Sequence, residues 1–309
     1  MVAVLFAVSV IVFMIFNVIP NSNPAQALAG KNATPTLVKS IEEEWGFDNS
    51  LPEQYVTMMK KVFTGELTSY KPRIPVDEQI FERIPATLSL SIGAGIIWLF
   101  FGLLLGYLSA LRAGGWLDRL LTGVAVAGIS IPVFLIAPVL IYFLTYKVEI
   151  FPNAQYVPLT EDPWEWLTHL ILPWFTLAIL SIGFYSRVLR SNMLDVMNED
   201  YVRTARAKGL SERKVMTRHV LRNSLIPIIT LFGLDFGATI AGTAIITEVL
   251  YSLDGVGSYA AEAATKFELP PIMGVTLYGA FFVVFINALV DIVYAYLDPR
   301  VRLGETASA

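Results

Sequence analysis

Six apolar runs, at 2–19, 88–111, 120–146, 167–189, 225–246 and 272–297, constrain this chain more than any other feature. A helix needs roughly 20 mostly apolar residues to cross the hydrocarbon of a bilayer. In hydrocarbon every backbone N–H and C=O must be satisfied within the segment, so such runs are read as helices. The expectation is an all-α polytopic membrane protein with six transmembrane helices. Composition agrees, since 55% of the 309 residues are hydrophobic and mean hydropathy is +0.60. Three runs contain proline, which membrane helices tolerate better than soluble ones. Pro132 and Pro138 predict a tilt or a broken end in the third run.

The basic residues of the short connections predict an orientation. Connections 2–3 and 4–5 and the C-terminal tail carry 13 of them: Arg112, Arg119, the nine from Arg187 to Arg222, Arg300 and Arg302. Connections 3–4 and 5–6 carry only Lys147 and Lys266, among many acids. This asymmetry puts connection 4–5 and the C-terminus in the cytoplasm. The first connection, 20–86, holds 7 basic and 9 acidic residues, and parity puts it outside. It forms an extracytoplasmic region between a first helix at 1–19 and a core of five helices at 87–309. "AQALAG" offers the small residues of a signal-peptide cleavage site, and the first run has no charged leading segment. Retention and cleavage both stay open, and the missing basic residues point to a start a few residues upstream.

Connection 4–5 is the most informative segment. "EDYVRTARAKGLSERKVMTRHVLRNSLIP", 199–227, places many basic residues and a glycine between two apolar runs. The stretch up to Lys208 contains good helix formers. Gly209 suits the left-handed position that ends a helix. Ser211 can cap a second helix, with Glu212 in its first turn and Arg218 and Arg222 towards its end, where their charges suit the dipole. The loop 190–224 is therefore expected to be a compact helix–turn–helix. Ala205, Ala207, Gly209 and Leu210 give its turn a small, partly apolar knuckle. The charges can serve topology alone, or the knuckle can enter a cleft on another protein.

The same stretch resembles the cytoplasmic EAA loop of ABC-importer permease subunits. Arg203-Thr204-Ala205 stands where E-A-A is found, and Gly209 matches the glycine of that motif. Arg203 in place of Glu, and the longer spacing to Pro227, resemble the dipeptide/oligopeptide/nickel branch. The likeness extends along nearly the whole chain. It takes in "NVIPNSNPAQALAG" at 17–30, "RIPATLSLS" at 83–91, "EVLYSLDGVGSYAAEA" at 248–263 and "LDPRVR" at 297–302, with Asn21, Ser22 and Asn23 departing from the branch's P-G-D-P. The resemblance implies the first of two permease subunits in a prokaryotic plasma-membrane importer. A second permease, two ATPases that bind ATP and Mg, and an extracytoplasmic binding protein would be its partners. Arg203, Thr204, Ala205, Ala207, Lys208, Gly209, Leu210 and Ser211 would contact the ATPase. Peptides are the first substrate expectation and nickel chelates the second.

"GATIAGT" at 237–243 lacks the lysine of a phosphate-binding loop and lies inside an apolar run, so ATP hydrolysis is expected from partner chains. With no cysteine and only His169 and His219, no metal site is expected. No basic tail suggests nucleic acid. A stand-alone secondary transporter would need an internal repeat or a pair of broken helices, and neither is evident. Gly102/Gly106 and Gly233/Gly237 have G-x-x-x-G spacing, which lets helices approach closely within the chain or against a second permease. Trp45, Phe47, Leu51, Tyr55, Met58, Met59, Val62 and Phe63 can form a small cap in the first connection. Val76, Ile80 and Ile84 share one helical face, expected to lie at the interface. Asp235 falls ten residues into the fifth run, about 15 Å deep at ~1.5 Å per residue. Acids at such depth usually face a bundle interior or a water path. Asp235 is thus the substrate-pathway candidate, with an interhelical hydrogen bond and a partner-subunit ion pair as the other readings.

Overall fold

The computed structural model describes residues 2–15, 25, 34–69, 74–266 and 268–297. Among the described residues the regular structure is helical, apart from an isolated bridge between Thr68 and Pro75. In chain order the helices are α1 (Val2–Phe13), α2 (Pro35–Trp45), α3 (Leu51–Thr64), α4 (Val76–Leu111), α5 (Trp116–Ser130), α6 (Val133–Leu140) and α7 (Pro163–Val196). They are followed by α8 (Asp200–Ala207), α9 (212–224), α10 (Ile226–Ala238), α11 (Ile245–Leu250), α12 (Val256–Lys266) and α13 (Leu269–Leu297).

Four segments are long and apolar enough to cross a membrane: Val76–Leu111, Pro163–Val196, Ile226–Thr243 and Leu269–Val290. A fifth candidate is the pair Trp116–Ser130 and Val133–Lys147, which bends by 97°. The bend falls where Ile131 (φ −97, ψ 120) precedes Pro132 (φ −63, ψ 141). A proline ring crowds the residue before it out of the helical region, so the chain turns there. Pro138 stays inside α6, and the helix loosens into a π-helical stretch at Ile141–Lys147. Of the expected first span, 2–19, the described residues show α1, 12 residues long, and residues 16–19 lie outside the described residues. The described residues therefore give four helices long and apolar enough to cross a membrane, or five with the bent pair. The "NVIPNSNPAQALAG" and "LDPRVR" resemblances fall almost wholly outside them.

The chain divides into two compact units. The first comprises 1–88 and 240–285. Within it, Thr34 caps α2 by accepting the Leu37 N–H, and Ser50 with Glu53 forms a capping box at the start of α3. Met58 is fully buried in a cluster with Val12, Phe13, Trp45, Val76 and Met273. Most of the expected cap residues join this core, but Leu51 and Phe63 are 49% and 82% exposed. Val76 and Ile80 are buried in it as the first turns of α4, which runs on without a break into the second apolar run. Ser9 on α1 hydrogen-bonds Tyr55 on α3 at 2.7 Å.

The same unit contains the turn after the fifth run. Glu248, on α11, has no exposed surface. Its Oε1 accepts the Thr87 hydroxyl and its Oε2 accepts the Ser258 N–H, both at 2.8 Å. The Thr87 hydroxyl accepts the Val256 N–H at 2.8 Å, so one carboxylate organises the whole turn. Burial pushes the Glu248 carboxyl up to about 6, against the effect of its hydrogen bonds. Glu248 lies beyond the candidate span Ile226–Thr243.

The second unit comprises 89–239 and 286–309. Gly102 and Gly106 of α4 lie directly against α7. A Cβ at Gly102 would sit 2.7 Å from the Tyr185 Cβ, and one at Gly106 would sit 2.6 Å from the Ser186 carbonyl oxygen. This G-x-x-x-G pair serves packing within the chain. Gly233 likewise meets Val290, where an added Cβ would lie 2.0 Å from its Cγ2.

Candidate functional site

The connection after α7 folds as a helix–turn–helix on a buried base. Val202, Val215 and Val220 have no exposed surface, and Ala205 and Met216 are 5% and 3% exposed. These apolar positions recur at helical spacing on α8 and α9, so one stripe of each helix turns inward. The Tyr201 hydroxyl accepts the Asn223 side-chain amide at 3.0 Å, and Asn192 of α7 donates to the Ser224 carbonyl at 3.4 Å. Side chains thus hold α8, α9 and the end of α7 together.

The turn itself faces outward. Nine consecutive residues, 206–214, are exposed. The Gly209 N–H donates to the Arg206 carbonyl at 2.9 Å, and the Leu210 N–H to the Ala205 carbonyl at 3.4 Å. Gly209 has φ +77, and an added Cβ would meet nothing within 4 Å. Glycine is required here for its left-handed backbone and not for space, and a β-carbon would cost about 1–2 kcal/mol. Ser211 takes the expected N-cap position (φ −61, ψ 143), but its hydroxyl makes no capping bond. The turn is closed by Arg206, whose Nη2 and Nε donate to Glu212 Oε1 at 2.8 and 3.2 Å. This ion pair holds the Glu212 carboxyl below its ordinary range.

Of the residues singled out in the sequence, Arg203, Thr204, Ala207, Lys208, Gly209, Leu210 and Ser211 are all exposed around this one turn. Ala205 is not: it supports the knuckle from beneath. Asp235 is elsewhere, half-buried on α10, where its Oδ2 accepts the hydroxyl of the fully buried Tyr185 on α7 at 2.8 Å. Trp98 and Phe232 pack beside them, with ring centroids 5.8 Å apart. Among the described residues no cluster of His, Asp and Glu could hold a metal ion.

The result is a short exposed turn on a buried base, joining two apolar spans. Residues 102–303 match the family model of the binding-protein-dependent transport system inner membrane component. Residues 1–91 match the model for the N-terminal part of the same membrane component. The chain belongs to this family of transport permeases. The permease is 36% identical over 300 residues to a Brucella abortus (strain 2308) chain provisionally named a peptide transport system permease protein, covering 97% of this chain and 95% of that one. It is 33% identical over 327 residues to the dipeptide transport system permease protein of Alkalihalophilus pseudofirmus, covering 98% and 96%. The corresponding Bacillus subtilis protein is 33% identical over 305 residues, covering 98% and 95%. The permease is thus a multi-pass inner-membrane subunit, and its helices are the frame on which the exposed turn is mounted.

Two buried carboxylates are not legible as sites in the sequence. Glu248 reads there as one more acid of an outer connection. Asp118 sits near the start of an apolar run, and Arg190 counts only among the charges that set topology. The signal available was an acid within a short hairpin and a basic residue inside a helical stem; neither names its partner.

Proposed function

We propose that this permease forms half of the translocation pathway of an ATP-driven importer for di- and oligopeptides. A second, homologous permease forms the other half, two ATPases dock from the cytoplasm, and an extracytoplasmic binding protein delivers cargo. Peptides are the substrate because the similar chains bear peptide and dipeptide names; nickel chelates are the alternative within the same resemblance. The observation that carries the reading is the Gly209 turn, exposed over 206–214 on a buried base. ATP-driven approach of the two ATPases moves the turns of both permeases together and reorients the bundle, as a rigid-body switch biased by a ligand. The 13-to-2 distribution of basic residues supports a cytoplasmic turn and C-terminus, with residues 20–86 outside.

The deciding experiment is Gly209→Val in the assembled importer, read as peptide uptake and peptide-stimulated ATPase activity. About 1–2 kcal/mol of backbone strain, with a larger side chain at the contact, should lower both about tenfold or more. Wild-type rates at an unchanged protein level would sink the coupling role. Single cysteines in this cysteine-free chain test the orientation with an impermeant label on intact cells. Ser50→Cys should react and Ser211→Cys should not; the reverse pattern overturns it.

Asp235 enters the proposal as the pathway candidate, with an interhelical tie as its other reading. The Tyr185 hydroxyl bond favours the interhelical hydrogen-bond reading, and the half-buried carboxylate keeps the pathway role open to test. Asp235→Asn should reduce uptake of cationic peptides more than that of neutral ones if it lines the path. Equal ratios in wild type and variant leave it as an interhelical tie.

A further inference from the structure

Asp118, at the start of α5, is 3% exposed. Arg190 of α7 meets it with both prongs: Nε donates to Oδ1 at 2.6 Å and Nη2 donates to Oδ2 at 2.7 Å. The Gly114 N–H donates to Oδ2 at 2.8 Å, and the Ser109 hydroxyl at the end of α4 donates to Oδ1. One carboxylate therefore gathers the end of α4, the turn that follows it, α5 and α7. Backbones approach closely along the same three helices. A Cβ at Gly183 of α7 would lie 2.5 Å from the Ala125 carbonyl oxygen of α5, just as Gly106 of α4 abuts Ser186 of α7. Arg190 also falls on the turn of α7 that holds the connection: Asn192 bonds Ser224, and Leu189 and Met193 are fully buried.

Asp118 is buried while the Arg190 side chain is 29% exposed, and an ion pair so placed is weak grounds for stability, because an apolar pair of similar volume often does as well. What a bidentate arginine supplies is a fixed geometry between two elements. We propose that Asp118 and Arg190 are positioning residues of the transport cycle. Their pair joins α4, α5 and α7 into one body, so that a displacement of the Gly209 turn reaches all three helices together and not α7 alone. The inference rests on the coupling role proposed above for that turn.

The test uses the assembled importer with the paired substitution Asp118→Leu and Arg190→Met. Spin labels at Arg119→Cys on α5 and Asp195→Cys on α7, both exposed positions, report the separation of the two helices. In the parent importer the label separation should be the same in the resting and nucleotide-bound states. In the paired variant its distribution should broaden, and peptide-stimulated ATPase activity should fall about tenfold or more while basal activity persists. A separation that changes between states in the parent overturns the proposal, and so does a paired variant that transports at the parent rate. If the paired variant does not assemble, Arg190→Lys takes its place, keeping the charge but not the two-pronged geometry. A lowered stimulation ratio at normal assembly then supports the proposal, and an unchanged ratio overturns it. Gly209→Val run alongside separates the two claims: if it abolishes stimulation while the pair variants do not, only the joining role falls. If Gly209→Val has no effect, the coupling role falls, and the label separation still decides whether the helices move as one body.

Discussion

The turn at Gly209 and the turn at 251–257 each use a carboxylate, and they use it in opposite ways. Glu212 stays at the surface, 61% exposed, and pairs with Arg206 across a few residues of chain. Glu248 has no exposed surface and finds Thr87 at a sequence separation of 161. The first turn is closed by local contacts at the surface, above a valine base that is buried independently of them. The second is inseparable from its packing, since removing its carboxylate strands the groups around it. A face meant for a partner is best built the first way, because a buried polar network cannot be gripped without being broken.

The largest effect should come from the buried turn. Glu248→Ala leaves the Thr87 hydroxyl and the Ser258 N–H short of a partner and opens a cavity, which should cost about 2–4 kcal/mol. The measurement is thermal or denaturant unfolding of the purified permease in detergent. A loss below about 1 kcal/mol would remove the contrast, because Glu248 would then be no more structural than Glu212.

The pH dependence sharpens the same point. The Glu248 carboxyl titrates near 6 in the fold against an ordinary 4.5. The folded protein therefore binds the proton more tightly than the unfolded chain, and the added stability is fully present below 4.5 and lost as pH rises through 6. The window amounts to about 2 kcal/mol at most. Unfolding of wild type and Glu248→Gln should be compared between pH 4.5 and 7. The difference between the two curves should slope across that window, and parallel curves would show that Glu248 does not titrate there.

The same contrast explains what was legible in the sequence. Gly209, the basic residues around it and the apolar stripe of α8 and α9 are local signals, so the helix–turn–helix could be read directly. Pro132 likewise announced a break, although no local rule gives a 97° bend. Pairs distant in sequence are different. Tyr185 and Asp235 are separated by 50 residues, and Asp118 and Arg190 by 72. Nothing near either member of a pair names the other; only packing against α7 brings them together. Ala205 shows the opposite error. Its small side chain reads as part of a smooth outer knuckle, while the period of α8 turns it inward with Val202.

The smallest effect should come from Arg206→Ala. Arg206 and Glu212 are 39% and 61% exposed, and their bonds of 2.8–3.3 Å lie in water. Exposed ion pairs are typically worth about 0–1 kcal/mol, because side-chain ordering offsets the attraction and salt screens it. Loss of Arg206 should therefore shift unfolding by less than about 1 kcal/mol, and the shift should shrink further as salt is raised. The valines beneath the turn are fully buried, so the base should stay folded while only the closure of the turn loosens. A double-mutant cycle with Glu212→Ala isolates the pair from each residue's other contacts. A coupling energy well above 1 kcal/mol, insensitive to salt, would mean that the two turns are built alike after all.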